Sequence, residues 1–167
     1  MAAKTKPSVG QQVLDILIQT GKTIVTAESC TGGLIAAALT DIPGSSAAVY
    51  GGFITYSNNA KARMIQVPPR LIRDYGAVSN QVARAMADGA RNTARTDYAI
   101  AATGIAGPSG GSEKKPVGLV YVAVSTELAT VVIEHRFGDL GRAEIRQATA
   151  AAALDLILQV LTTDEAK

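Results

Sequence analysis

Apolar positions recur at helical spacing near the start of the chain, switch to strand spacing, and repeat that exchange until a helical end. Val9, Val13, Ile16 and Leu17 share one face of a helix predicted over 8–20, with Gly21 at its stop. A strand is predicted over 22–27, a helix over 31–40 and a turn over 41–46. The next strand, 48–56, carries Val49, Tyr50, Phe53 and Ile54, and its Gly51-Gly52 pair predicts a bulge or a close backbone approach. Two short helices, 58–65 and 70–75, flank Pro68-Pro69. Ser79 then opens a longer helix with Val82, Ala83, Met86, Ala87 and Ala90 on its buried side. Arg84, Asp88, Arg91 and Arg95 form a predicted solvent stripe along it. The unbroken apolar run 98–103 predicts a strand covered on both faces. After a glycine-rich loop, 104–117, the segments 119–125 and 130–137 predict an antiparallel hairpin. Its second strand, at the sheet edge, alternates Ile133, His135 and Phe137 against Glu134 and Arg136. A last helix, 142–161, packs through Leu154, Ile157, Leu158 and Leu161. This order predicts an α/β fold: a mixed five-stranded sheet with helices on both faces.

Composition narrows the picture. A length of 167 residues predicts one domain, 1–167, and 47% apolar content is ample for its core. Residues 1–7 are expected to be a flexible N-terminal tail without an apolar signal region, and no stretch is long enough to span a bilayer. One cysteine rules out an internal disulfide and suits a reducing compartment, so a cytoplasmic protein is expected. A net charge of +2 with no basic run gives no reason to propose nucleic acid or a membrane as partner. Alanine-rich helical faces leave room for a homo-oligomer. One histidine and one cysteine, outside any zinc-type spacing, argue against a metal site, and no cofactor is expected.

Chemistry concentrates at the stretch Thr26-Ala27-Glu28-Ser29-Cys30-Thr31-Gly32-Gly33, a strand–turn–helix junction. Free amides and the positive end of a helix dipole gather at such a place, where they hold an anion or a developing oxyanion. Ser29 or Thr31 also suits a plain helix cap. With a single histidine placed on an edge strand, a serine nucleophile needs a lysine or carboxylate base. Tyr56-Ser57-Asn58-Asn59-Ala60-Lys61 offers one at a second strand-to-helix transition, on the sheet rim where ligands of open α/β folds bind. Lys61 accepts a proton only if burial or nearby positive charge depresses its pKa, and the Tyr56 hydroxyl can relay or orient that proton. A surface lysine is the plain alternative, although a cation there faces the unfavourable end of the helix dipole. Gly104, Ala106 and Gly107 lie in a loop whose glycines permit close approach to a ligand. Arg142 and Arg146, one turn apart, can grip a phosphate as a fork.

In their shared order, several blocks resemble the C-terminal domain of the CinA family, the stand-alone nicotinamide-nucleotide amidases (PncC). They are the Thr26–Gly33 junction, Pro43-Gly44-Ser45-Ser46, Tyr56-Ser57-Asn58 with Lys61, Gly76-Ala77-Val78-Ser79, Thr103-Gly104-Ile105-Ala106-Gly107-Pro108 and Lys115-Pro116-Val117-Gly118. The resemblance implies a three-layer α/β/α sandwich with a mostly parallel sheet. It also implies hydrolysis of nicotinamide mononucleotide to nicotinate mononucleotide and ammonia, without a metal. On that basis Ser29 is the expected nucleophile, Lys61 its base and Tyr56 an assistant. Thr31, Gly32, Gly33, Asn58, Gly104, Ala106 and Gly107 are expected at the substrate, and Arg142 and Arg146 at its phosphate. Cys30 is the rival nucleophile. Asn59 departs from the family pattern, in which an acidic residue is common there. A non-catalytic nucleotide-binding module is the alternative function, and the family's association with competence and DNA damage raises nucleic acid as a third.

Overall fold

A computed structural model describes residues 7–165, so the expected tail lies, apart from Pro7, outside the described residues. The elements run α1 (Val9–Thr20), β1 (Ile24–Glu28), α2 (Leu34–Thr40), β2 (Val49–Ile54), α3 (Asn58–Ile65), α4 (Pro69–Tyr75), α5 (Asn80–Ala94), β3 (Tyr98–Gly104), β4 (Leu119–Ser125), β5 (Thr130–Arg136) and α6 (Arg142–Glu165). One sheet is ordered β2-β1-β3-β4-β5. The β1–β2 and β1–β3 ladders are parallel, and the β3–β4 and β4–β5 ladders antiparallel. Four of the five strands therefore point the same way.

Successive residues of the central strands serve opposite faces, as the pleat requires. Ile24 and Ile100 join Leu17, Leu39, Ile145 and Ile157 in a core beneath α1, α2 and α6. Val25, Ala99 and Ala101 join Ile65, Val82, Met86 and Ala90 in a second core beneath α3, α4 and α5. The result is the expected α/β/α sandwich. The alanines on the second face let α5 lie close to the sheet. Gly89 continues that close approach toward α3: a Cβ built there would stand 1.8 Å from the Ile65 carbonyl oxygen.

Neither Ser29 nor Thr31 caps α2, whose N-cap is Gly33 with no side-chain bond, but serines cap three other helices. Ser8 accepts from the Gln11 amide, Ser57 from Ala60 and Ser79 from Val82. The predicted irregularity in β2 is present, because the register with β1 skips Tyr50, pairing Ile24 with Val49 and Val25 with Gly51. Several boundaries shift by one residue, and four by two or more. β1 begins at Ile24 because Lys22 and Thr23 instead bind the Asp97 carboxylate. β2 ends at Ile54, which puts Tyr56 beyond the strand. α2 begins at Leu34, since Gly32 and Gly33 adopt φ of 58° and 108°, which a helix cannot contain. α6 continues to Glu165.

The predicted solvent stripe on α5 is a correction of substance. Arg84 donates to the Thr130 carbonyl at 2.7 Å, Arg91 donates to the Ser125 hydroxyl at 3.2 Å, and Asp88 accepts from the hydroxyls of Ser125 and Thr130. Three of the four side chains thus fasten α5 to the β4–β5 hairpin. Arg95, the fourth, is exposed and lies in the left-handed region, at φ 55°.

α3 ends similarly, with exposed Gln66 at φ 58° and ψ 29°. A side chain in that region costs about 1–2 kcal/mol that glycine avoids, and the extra freedom glycine gives the unfolded chain takes back roughly 0.5–1 kcal/mol, which leaves a net of about 1 kcal/mol. Gln66→Gly is expected to raise Tm by roughly 2–4 °C, the shift about 1 kcal/mol makes in a domain of this size. A calorimetric scan showing a lower Tm would mean that the glutamine side chain itself stabilises the cap.

Candidate active site

Parallel pairing of β1 with β2 places the ends of both strands on one rim, with Glu28 opposite Ile54. The ladder is extended by the Thr55 amide, which donates to the Glu28 carbonyl at 2.8 Å, and the Ser29 amide, which donates to Ala102 at 3.0 Å. Ser29 is thereby fixed one residue beyond β1. After Thr55 the chain turns at Ser57 into α3, and Lys61 sits in its first turns. Side chains on a helix lean toward its N-terminus, so Lys61 reaches back under the strand ends. Its Nζ lies 3.0 Å from Ser29 Oγ and donates to the Thr55 carbonyl at 2.9 Å.

Lys61 is 1% exposed, the largest of the fully buried side chains among the described residues. Both of its hydrogen-bond partners are uncharged. Burial holds the ammonium form at a disadvantage, outweighs the opposing pull of Cys30 and pushes the Lys61 pKa below its ordinary value. A neutral amine at that position can accept the Ser29 proton while still donating to Thr55. The adjacent thiol is a poorer candidate. Cys30 packs into the first core, and burial pushes its pKa up to about 11, so little thiolate forms near neutral pH.

Glu28, to which sequence reasoning gave no role, turns out to dominate the junction. Its fully buried carboxylate accepts from the amides of Gly33 at 3.0 Å, Ile35 at 3.1 Å and Ala36 at 2.8 Å. The head of α2 is therefore already occupied by an anion from its own chain, which corrects the expectation that these amides await a ligand. The Gly32 amide closes the turn onto the Ser29 carbonyl at 3.1 Å. The amides of Cys30 and Thr31 take part in none of these bonds, and they are the backbone donors nearest the serine in sequence. The Thr31 and Thr55 hydroxyls are buried without a partner among the described residues.

The remaining predicted residues are arranged differently from what was expected, and among the described residues none of their side-chain hydrogen bonds runs to Ser29 or Lys61. Arg142 donates to the Gly107 carbonyl at 2.9 Å and to the Tyr56 hydroxyl at 2.8 Å. Tyr56 is 61% exposed and held by this arginine, so its hydroxyl is not a partner of Lys61. Arg146 donates instead to the carbonyls of Cys30 and Thr31, both at 3.0 Å. The two arginines, a turn apart, thus serve different carbonyls and do not form a fork. Gly104 ends β3 where a Cβ would lie 2.5 Å from Val120 Cγ2, Ala106 is buried, and Asn58 stands exposed in the first turn of α3. His135 stacks on Phe137 along the edge strand, its ring centroid 5.3 Å away.

The sequence supplies the last piece. A family model described as the CinA C-terminal domain matches residues 6–161. The chain belongs to that family. It is 47% identical to a CinA-like protein of Geobacter sulfurreducens across 98% of this chain and 39% of that one. It is 53% identical to a CinA-like protein of Acidobacterium capsulatum across 88% and 35%. It therefore spans little more than a third of the length of these curated relatives. Among solved structures, the competence/damage inducible protein CihA of Agrobacterium tumefaciens superposes with a TM-score of 0.86 at 46% identity, covering 96% of this chain and 99% of that one. A CinA superfamily protein of Klebsiella pneumoniae gives 0.88 at 31% identity, covering 93% and 96%. The family's fold thus extends over the chain, with Ser29 and Lys61 at the rim of its sheet. No helix among the described residues is long and apolar enough to cross a membrane.

Proposed function

We propose that this chain is an amidohydrolase that converts nicotinamide mononucleotide to nicotinate mononucleotide and ammonia. The observation that carries the reading is the 3.0 Å contact between the buried Lys61 amine and the Ser29 hydroxyl. Ser29 Oγ attacks the carboxamide carbon as its proton passes to Lys61 Nζ. The oxygen of the tetrahedral adduct takes the negative charge, facing the Cys30 and Thr31 amides. Lys61 then returns the proton to the nitrogen, the C–N bond breaks, and ammonia leaves an ester on Ser29. Water, deprotonated by the same amine, cleaves that ester to the carboxylate and restores both groups.

The mechanism fixes a pH dependence. Only neutral Lys61 is a base, so kcat/KM is expected to rise with pH and to level off above the Lys61 pKa, which burial places below 10.5. Ammonia release and nicotinate mononucleotide formation, followed across pH, check this. Nicotinamide mononucleotide that binds by calorimetry but releases no ammonia at any pH would replace the hydrolase with a nucleotide-binding module.

A further inference from the structure

Arg146 is not needed in the chemistry just described, yet it makes two side-chain hydrogen bonds to the turn that carries the proposed nucleophile. Its Nε and Nη2 donate to two successive carbonyls, Cys30 and Thr31. A trans peptide sets its N–H opposite its C=O. Anchoring the Cys30 carbonyl therefore turns the Thr31 amide away from the guanidinium. Anchoring the Thr31 carbonyl likewise turns the Gly32 amide, which closes onto the Ser29 carbonyl at 3.1 Å. Past Gly32, the Glu28 carboxylate takes over by holding the Gly33 amide. The guanidinium lies so close that a Cβ on Gly32 would stand 3.3 Å from its Nη2. The Nε/Nη2 edge, which grips a phosphate side-on, is occupied by the protein's own backbone.

We infer that Arg146 is a positioning residue: it orients the turn that carries Ser29 and aims the Thr31 amide as an oxyanion donor, and it is not a ligand for the substrate phosphate. The inference rests on the reading of Ser29 as nucleophile. Its signature is a loss in the reacting step that is indifferent to the phosphate. Lysine can reach one carbonyl but lacks the planar fork for two, so Arg146→Lys should fall between wild type and Arg146→Ala.

Two measurements test it. The first is the rate at which a fluorophosphonate labels Ser29, read by intact mass: the serine oxygen displaces fluoride from phosphorus and its proton passes to Lys61. The second is the kinetics of wild type, Arg146→Lys and Arg146→Ala with nicotinamide mononucleotide and with nicotinamide riboside, which lacks the phosphate. Arg146→Ala is expected to slow labelling, and kcat for whichever of the two substrates turns over, by about 10²-fold, the scale of a small misplacement at a reacting centre, with KM little changed. Labelling at the wild-type rate, with a KM rise confined to the mononucleotide, overturns the inference in favour of a phosphate ligand. If circular dichroism shows Arg146→Ala unfolded, the lysine variant decides, and unfolding of both overturns it as well. Wild type that labels at Ser29 yet leaves the mononucleotide intact sinks the proposed substrate alone, because the labelling comparison still stands. Wild type without labelling at Ser29 sinks both.

Discussion

Lys61→Met is expected to lower turnover of nicotinamide mononucleotide by roughly 10²- to 10⁴-fold, the span typical of a lost general acid–base group. The upper part of that range is expected, because in the proposed mechanism one amine both activates Ser29 and protonates the leaving nitrogen. Methionine matches the length and apolar stem of lysine, so the pocket stays filled. Stability should separate the variant from wild type in a direction set by linkage. Burial lowers the Lys61 pKa in the native state. Between that lowered value and 10.5 the unfolded chain binds a proton that the folded chain does not, so wild-type stability rises with pH across the window. As pH falls through the folded pKa, the buried amine charges and the gain disappears. Lys61→Met should lose this contribution, which denaturant melts at a series of pH values would reveal. Ser29→Ala should match the lysine variant in rate. A fully active Ser29→Ala beside an inactive Cys30→Ala would move the nucleophile to the thiol.

A second large effect is expected far from any reacting atom. Gly89→Ala puts a Cβ 1.8 Å from the Ile65 carbonyl oxygen and 3.0 Å from its carbon, both backbone atoms that cannot rotate aside. α5 and the last turn of α3 must separate. Overpacking of this kind costs about 1–3 kcal/mol and sometimes more, and alanine's better helix propensity returns about 1 kcal/mol. An overlap this deep with backbone atoms places the cost at the top of that range, and the net loss of about 2 kcal/mol lowers Tm by roughly 4–8 °C. Because α3 also carries Lys61, labelling of Ser29 should slow alongside. A variant that melts at or above the wild-type temperature would show that helix propensity wins and that the two helices yield at little cost.

Much of the architecture was legible because it is written locally. Serines 8, 57 and 79 precede apolar periodicity and cap the helices that begin there, and the uninterrupted run before Gly104 became the doubly covered β3. The serine and lysine proposed as nucleophile and base were legible as chemical types at two strand-to-helix transitions, and parallel pairing brought them together. Long side chains reaching across the fold escaped such reading. Glu28 folds back onto the amides of the helix just after it, and periodicity is blind to such a bond. Arg84, Asp88 and Arg91 have the spacing of a wet face, but the hairpin that covers that face lies more than thirty residues onward. Arg142 and Arg146 share a helix surface, yet they are claimed by acceptors on different distant segments, Gly107 and Tyr56 for the first and Cys30 and Thr31 for the second.

The alignment of β1 with β2 has a consequence for how relatives of this chain can differ in length. Residues inserted between Asp41 and Ala48 lengthen a connection and leave both strand ends where they are. An insertion within β1, or in β2 past Gly51, would advance Ser29 or the segment leading to Lys61 by about 3.3 Å and turn the residues beyond it to the opposite side of the sheet. The additional residue that β2 already tolerates, Tyr50, is absorbed at the end of the ladder remote from Ser29. Gaps across the family should therefore accumulate in the crossover and avoid the final pairs of these two strands.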